Sequence, residues 1–321
     1  MNIVAADWLP YTLPFRATWK TSQGRIGERQ GHLLRLRTAE GLTGWGDAAP
    51  LPAFGISEKA ARDFAEETAR LDLLAQSAGL PLQQWLTGQA PVQDLAINAN
   101  LGRLADLTPL QLTAAAAAGY DIIKLKVGSL PLNDESALLR QLVLDAPPSL
   151  RFRLDANRAW NLTDANTFIA HCTDLPIDGL EEPLAQPNAA SLAALQTACT
   201  FPLAIDESTA LIDDDFLRKP PIRRLTIKPA REGGLLASMA LALRARAAGL
   251  EIVVTSSLES GCGLLACAHL AAAVAPDAVH GLGTAEWFAE DTGRPPLIAS
   301  GRLRLPEASG LGFQANRAYR T

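Results

Sequence analysis

The chain has 321 residues, 48% of them hydrophobic and only 6% aromatic, with 29 Lys and Arg against 34 Asp and Glu for a formal charge of −5. This is too apolar for a disordered chain, and it lacks the basic excess of a nucleic-acid-binding or polybasic membrane protein. No run of about 18 uncharged apolar residues is present to span a bilayer. The N-terminal MNIVAADWLP shows no secretory leader pattern, and Cys172, Cys199, Cys262 and Cys267 fall in no zinc-ligand spacing. A cytoplasmic chain with reduced thiols is expected.

Near the N-terminus, HLLRLRT (32–38) alternates polar and apolar residues, as a half-buried antiparallel strand does. Residues 57–75 carry amphipathic helical periodicity behind Ser57, a good N-cap residue. Strands followed by a helix, with no regular alternation, predict an α+β capping domain over 1–94. Two of its loops are expected to carry specificity. One is 16–30, with Thr21, Ser22, Gly24 and Gly27. The other is 47–56, where Pro50 and Pro52 hold the chain extended and leave Leu51 and Phe54 to cover a pocket.

From residue 95 onward short aliphatic runs alternate with helix-forming stretches. The runs are 95–101, 121–128, 150–157, 177–183, 202–208, 223–229, 251–257 and 278–284; the intervening helices are 108–119, 133–144, 163–173, 188–199, 213–219, 233–248 and 260–274. Parallel neighbours need crossover helices, and eight such units suit a closed barrel better than an open doubly wound sheet. The expectation is an α/β fold: a modified TIM-type (β/α) barrel over 95–285. A C-terminal segment, 286–321, would return to the capping domain through RLRLP (302–306).

Alternation within the runs separates two faces. Ile123, Leu125 and Val127 oppose Lys124 and Lys126; Phe152 and Leu154 oppose Arg151, Arg153 and Asp155; Leu180 opposes Glu181; Ile205 opposes Asp206; Ile227 opposes Lys228. The apolar faces pack on helices, so the charged ones point into the barrel. Asp155, Glu181 and Asp206 are 26 and 25 residues apart, and Lys228 follows 22 residues later. Each step is one βα unit, which sets three carboxylates on consecutive strands at similar height. Such a group repels itself without a cation, and an all-oxygen donor set favours Mg²⁺, with Mn²⁺ second. Lys126 and Lys228 flank the carboxylates and would face each other across the barrel. That arrangement suits removal of a proton next to a carboxylate. Plain salt bridges are the alternative for any one of these residues. Gly261, at the start of a helix after 255–257, is an anion-binding candidate through its N–H, with capping or close packing an equal alternative. His171 and His269 read as structural, and His280 is left open.

These residues resemble the enolase superfamily, in its muconate-lactonizing-type branch, over almost the whole chain. The resemblance rests on Lys124-Leu125-Lys126, Asp155-Ala156-Asn157, Glu181-Glu182-Pro183, Asp206-Glu207-Ser208 and Ile227-Lys228-Pro229. It implies Asp155, Glu181 and Asp206 as magnesium ligands, Lys126 and Lys228 as acid/base lysines, and Lys124 tuning Lys126. Glu182, one residue out of phase, is not carried over as a ligand. The runs RFRLDANRAW (151–160), GWGDAAPLPAFG (44–55) and SSLESG (256–261) most resemble the o-succinylbenzoate synthase family. That implies a dehydratase acting on a small carboxylate in menaquinone biosynthesis, with Arg153, Asn157, Ser257, Gly261, Leu51 and Phe54 as substrate contacts. The rivals are an N-succinylamino acid racemase and a dipeptide epimerase, and last a non-catalytic metal-binding barrel, which the full set of expected catalytic side chains disfavours. The epimerases usually carry an Asp-x-Asp at the end of strand eight, where this chain has Gly281-Leu282-Gly283-Thr284. No nucleic acid or membrane partner is expected, and the oligomeric state is left open.

Overall fold

The computed structural model describes residues 1–21 and 24–320. Strands β1 (Ile3–Thr21), β2 (Gly24–Thr38) and β3 (Thr43–Ala48) form an antiparallel sheet, with helix α1 (Glu58–Ser77) laid across it. Ser57 Oγ accepts from Ala60 N at 3.1 Å and starts that helix. The close approach needs glycine on β3. A Cβ at Gly46 would lie 1.9 Å from Ala65 O, and one at Gly44 would lie 2.3 Å from Ala69 O. Phe64, Ala65, Ala69 and Leu73 are thereby buried completely, each large side chain contributing roughly 1.5–3 kcal/mol. The loop expected over 16–30 is largely strand. The register slips between Pro14 and Trp19, next to a proline with no N–H to donate, and pairing then resumes. Ser22 lies outside the described residues.

Seven parallel strands follow: β5 (Ala99–Arg103), β6 (Ile122–Lys126), β7 (Arg151–Asp155), β8 (Ile177–Glu181), β9 (Leu203–Ile205), β10 (Arg224–Ile227) and β11 (Glu251–Val254), hydrogen-bonded in chain order. Helices on the outer face connect them. The last, α9 (Gly261–Val274), is apolar all round because it is enclosed all round, with only Ala273 less than buried. The eighth expected strand shrinks to single bridges that join the two sheet edges: His280 to Ile97 and Gly281 to Thr255. Its main chain donates from His280 N to Ala96 O and from Gly281 N to Val254 O. A Cβ at Gly281 would lie 2.6 Å from the Thr255 methyl, so closure at this point needs glycine. His280 is part of the seam: its Nδ1 accepts from Val254 N at 3.0 Å and its Nε2 meets Ala275 O. Burial lowers its pKa to about 4, so it serves as a neutral structural ring. His269 is held the same way, between Gln83 N and Leu311 O.

The first expected barrel run, 95–101, divides. Residues Asp94–Ala96 (β4) pair antiparallel with β14 (Arg302–Arg304), so RLRLP returns to β4 and not to the cap. The tail meets the cap further on. Gly310 N donates to Leu80 O, Leu311 N to Asp72 Oδ1, and Phe313 packs edge-on against Trp45 at 5.8 Å. Among the described residues no helix is long and apolar enough to cross a membrane.

Candidate active site

The parallel register sets Lys126 beside Asp155 and Asp155 beside Glu181, a lateral row at the C-terminal ends of β6, β7 and β8. The row is drawn together by ion pairs. Lys124 Nζ lies 2.8 and 2.9 Å from the two Glu181 oxygens and 2.9 Å from Asp155 Oδ2, which Lys126 Nζ also reaches at 2.6 Å. One unit on, Lys228 bonds Asp206 Oδ2, and Arg231 Nη2 donates to Oδ1 of the same carboxylate at 2.9 Å. Asp155, Glu181 and Asp206 are 1–2% exposed. The Lys126 side chain is 31% exposed, against 11% for Lys124 and 14% for Lys228. Lys126 is therefore the ammonium most open to an incoming molecule.

Burial alone would raise all three carboxylates, and the cations decide the outcome. Lys124 and Lys126 outweigh it at Asp155, and Lys228 and Arg231 outweigh it at Asp206, so both stay far below the usual carboxylate range. At Glu181 burial and the Asp155 charge win over Lys124, and its carboxyl is pushed up to about 8. Burial disfavours the Lys124 charge, but Asp155 and Glu181 more than offset this and shift it upward.

Glu182 adopts a left-handed φ of 46°, which turns its side chain away from the row. Its oxygens accept from Asp206 N at 2.7 Å, Ser208 N at 2.8 Å and Ser208 Oγ at 2.7 Å. The residue holds the segment that carries Asp206. Asn157 donates its main-chain N–H to Asp155 Oδ1 at 3.0 Å and its amide to Glu207 Oε1 at 3.3 Å. It braces the site from the side and does not line the pocket, contrary to the expected substrate contact.

The pocket is a cavity of about 100 Å³. It is lined by Lys124, Lys126, Lys228 and Glu207, by Thr255 and Ser257, and by Leu51, Phe54 and Trp287. Thr255 Oγ1 and Ser257 Oγ are buried and have no hydrogen-bond partner among the described residues. The covering turn is fixed at its base. Leu51 and Ile56 exchange main-chain bonds, Arg29 donates to Ala49 O and Pro50 O, and Asp47 accepts from Ser260 N and Tyr11 Oη.

Two further expected contacts lie elsewhere. Arg153 sits one layer below Asp155, its guanidinium bonded to Asp178, Asn98 and Val279 O. Asp178 also takes Arg224, so this arginine belongs to an ion-paired barrel floor. Gly261 N is bonded to both oxygens of Asp291, at 2.8 and 3.1 Å, so the start of α9 already holds an anion from its own chain.

Among the described residues no three His, Cys, Asp or Glu side chains converge on one point, because lysine ammoniums take the carboxylate oxygens of the row. The donor set nonetheless fits a hard divalent ion. Three buried carboxylates lie at or just past the ends of adjacent strands, an all-oxygen donor set of the kind such an ion takes.

Residues 110–319 match the family model for Enolase C-terminal domain-like proteins. The chain belongs to the enolase superfamily. An o-succinylbenzoate synthase of Yersinia pseudotuberculosis is 31% identical over 325 residues, covering 91% of this chain and 96% of that protein. The o-succinylbenzoate synthase of Yersinia enterocolitica is 31% identical over 307 residues, covering 87% and 90%. In fold, the chain is similar to the muconate lactonizing enzyme of Pseudomonas fluorescens, with a TM-score of 0.87 at 22% identity over 99% and 97% of the two chains. It is equally similar to a dipeptide epimerase of Cytophaga hutchinsonii, with a TM-score of 0.88 at 21% identity and the same coverage.

In this enolase-superfamily chain three pocket or site residues escape a reading by strand alternation, and a fourth, Thr255, was passed over. β9 ends at Ile205, so Glu207 lies in a loop and lines the pocket although it directly follows Asp206. Arg231 lies in a turn and Trp287 at the end of a 3-10 helix, Gly283–Trp287, where no two-residue period applies. Thr255 shares the phase of Ser257, and that parity was the one available signal.

Proposed function

We propose that this chain is a carbon–oxygen lyase of the o-succinylbenzoate synthase type. It would remove water from 2-succinyl-6-hydroxy-2,4-cyclohexadiene-1-carboxylate to give 2-succinylbenzoate, a step of menaquinone biosynthesis. The observation that carries this reading is the convergence of Lys126 and Lys228 on one covered pocket beside three buried carboxylates. Asp155, Glu181 and Asp206 would hold Mg²⁺, with Mn²⁺ as a substitute. Such an ion supplies positive charge opposite the substrate carboxylate, where negative charge grows as the adjacent carbon loses its proton.

Within the chain, Lys126, the most accessible of the three lysines, takes the proton from carbon as its neutral amine, and the ammonium so formed gives that proton to the departing hydroxyl, which leaves as water. Lys228 remains a cation over the forming ring. Lys124, bonded to both Asp155 and Glu181, keeps the two carboxylates in place and adds a like charge near Lys126. Ser257, joined by the equally unpartnered Thr255, offers hydroxyl donors to the far carboxylate of the substrate. Leu51 and Phe54 exclude water. The segment 281–284 has no acid to receive an ammonium group, which favours a succinyl substrate over a dipeptide.

Purified protein with Mg²⁺, assayed side by side on the cyclohexadiene and on both enantiomers of N-succinylamino acids in D₂O, tests the assignment. Rapid aromatisation is expected, abolished in Lys126→Ala and partly retained in Lys228→Arg, which keeps a cation of different shape. α-Proton exchange from both enantiomers with no aromatisation would assign a racemase instead.

A further inference from the structure

The three carboxylates of the row are not held alike. Asp155 and Glu181 are the last residues of β7 and β8, and the ladder fixes their main chains: Val127 N donates to Asp155 O, and Ala156 N to Glu181 O. Asp206 lies beyond the end of β9, whose pairing with β10 stops at Ile205 and Leu225. Its main-chain groups are taken up by side chains instead. Glu182 accepts from its N–H, and Arg231 Nη2 donates to its carbonyl at 2.5 Å while also reaching its Oδ1.

Arg231 is itself well fixed. It stands in the turn after β10, where Arg231 N and Glu232 N both donate to Lys228 O. Its Nε bonds Glu232 Oε1 at 3.1 Å, and its Nη1 is buried without a partner. The turn that carries Phe54 rests on its stem: a Cβ at Gly55, where φ is 81°, would come 3.2 Å from Arg231 Cδ. One nitrogen thus fixes both the backbone and the carboxylate of Asp206, leaving Oδ2 as the oxygen directed at the pocket lysine Lys228.

We propose that Arg231 is the positioning residue for Asp206, presenting its carboxylate in the orientation a divalent cation requires and so setting the affinity of the site. This rests on the reading that Asp155, Glu181 and Asp206 hold such an ion. Lysine at this position keeps the charge but cannot match the planar fork, so it should substitute poorly. Removal of an outer partner of a ligand typically weakens metal binding ten- to a hundred-fold.

The test is Mn²⁺ titration of chelator-stripped protein, reading free Mn²⁺ by electron paramagnetic resonance, for wild type, Arg231→Met, Arg231→Lys and Asp206→Asn. Folding is checked by circular dichroism. Wild type should bind, Asp206→Asn should lose binding, Arg231→Met should bind about ten- to a hundred-fold more weakly, and Arg231→Lys should fall between. The Mn²⁺ concentration for half-maximal turnover should rise in step, with kcat recovered at saturating ion. Wild-type or tighter Mn²⁺ affinity in folded Arg231→Met overturns the proposal while leaving the three-carboxylate site standing. No binding by wild type removes that site and the proposal together. Arg231→Lys decides alone if Arg231→Met does not fold, and wild-type affinity in it is the refuting result.

Discussion

Glu182 lies next to Glu181, yet its side chain leaves the row of charged residues and binds Asp206 N, Ser208 N and Ser208 Oγ. Truncation in Glu182→Ala would strand two buried main-chain N–H groups, each costing about 1–3 kcal/mol. The loss should therefore be roughly 2–6 kcal/mol, and the freed 206–208 segment should also weaken the ion-dependent activity. Glu182→Gln should be far milder. Its amide oxygen can still accept from both N–H groups, and its NH₂ can face Ser208 Oγ, which is able to accept. Backbone conformation supplies an internal control. The left-handed φ of 46° costs a non-glycine residue about 1–2 kcal/mol, so Glu182→Gly should be more stable than Glu182→Ala by about that amount despite losing the same bonds. Urea denaturation of the three variants, with Mg²⁺ activation curves alongside, provides the measurement. Equal stability of wild type and Glu182→Ala, or Ala more stable than Gly, would refute this account of how Asp206 is held.

Chelation with EDTA should abolish turnover and added Mg²⁺ or Mn²⁺ should restore it; full activity in exhaustively chelated protein would rule out a metal role for Asp155, Glu181 and Asp206. Phe54→Ala should lower kcat/KM while leaving the melting temperature and Mn²⁺ binding intact, since Phe54 covers the pocket and is only half-buried. Unchanged kcat/KM would place the working lid elsewhere. Asp72 gives a pH prediction: burial pushes its carboxyl up to about 6, against hydrogen bonds from Gln76, Leu311 N and Trp45 N. An acid raised in the folded state binds its proton more tightly when folded, so its contribution is largest below the unfolded value near 3.9 and is lost as pH rises through 6. Relative to Asp72→Asn, wild type should lose roughly 2 kcal/mol between pH 4 and 7; wild type gaining stability on Asp72→Asn as pH rises in urea titrations would reverse the sign and reject the argument.

Residues at the strand ends were the most legible part of the sequence because two independent constraints act on them. Period-two alternation set Lys124, Lys126, Asp155 and Glu181 on the inner face, and the spacing of one βα unit set Asp155 and Glu181 level; the register then pairs Lys126, Asp155 and Glu181 side by side, with Lys124 one layer below. Legibility fails where one of these constraints stops. Arg153 obeys the inward phase as well as Asp155 does, but alternation carries no information on depth, and a layer of two residues separates the ion-paired floor from the pocket. Asn157 lies past the end of β7, where the period no longer applies and a positive φ of 44° redirects the chain. Gly261 was legible as a helix start with exposed N–H groups, but its partner, Asp291, is 30 residues away and follows no pattern that local sequence can supply. The same limit hid Arg231 and the bracing role of Glu182, which reach Asp206 across 25 and 24 residues. Strand periodicity thus reports which side chains enter a barrel, whereas the groups that aim them come from loops and are fixed only by tertiary packing.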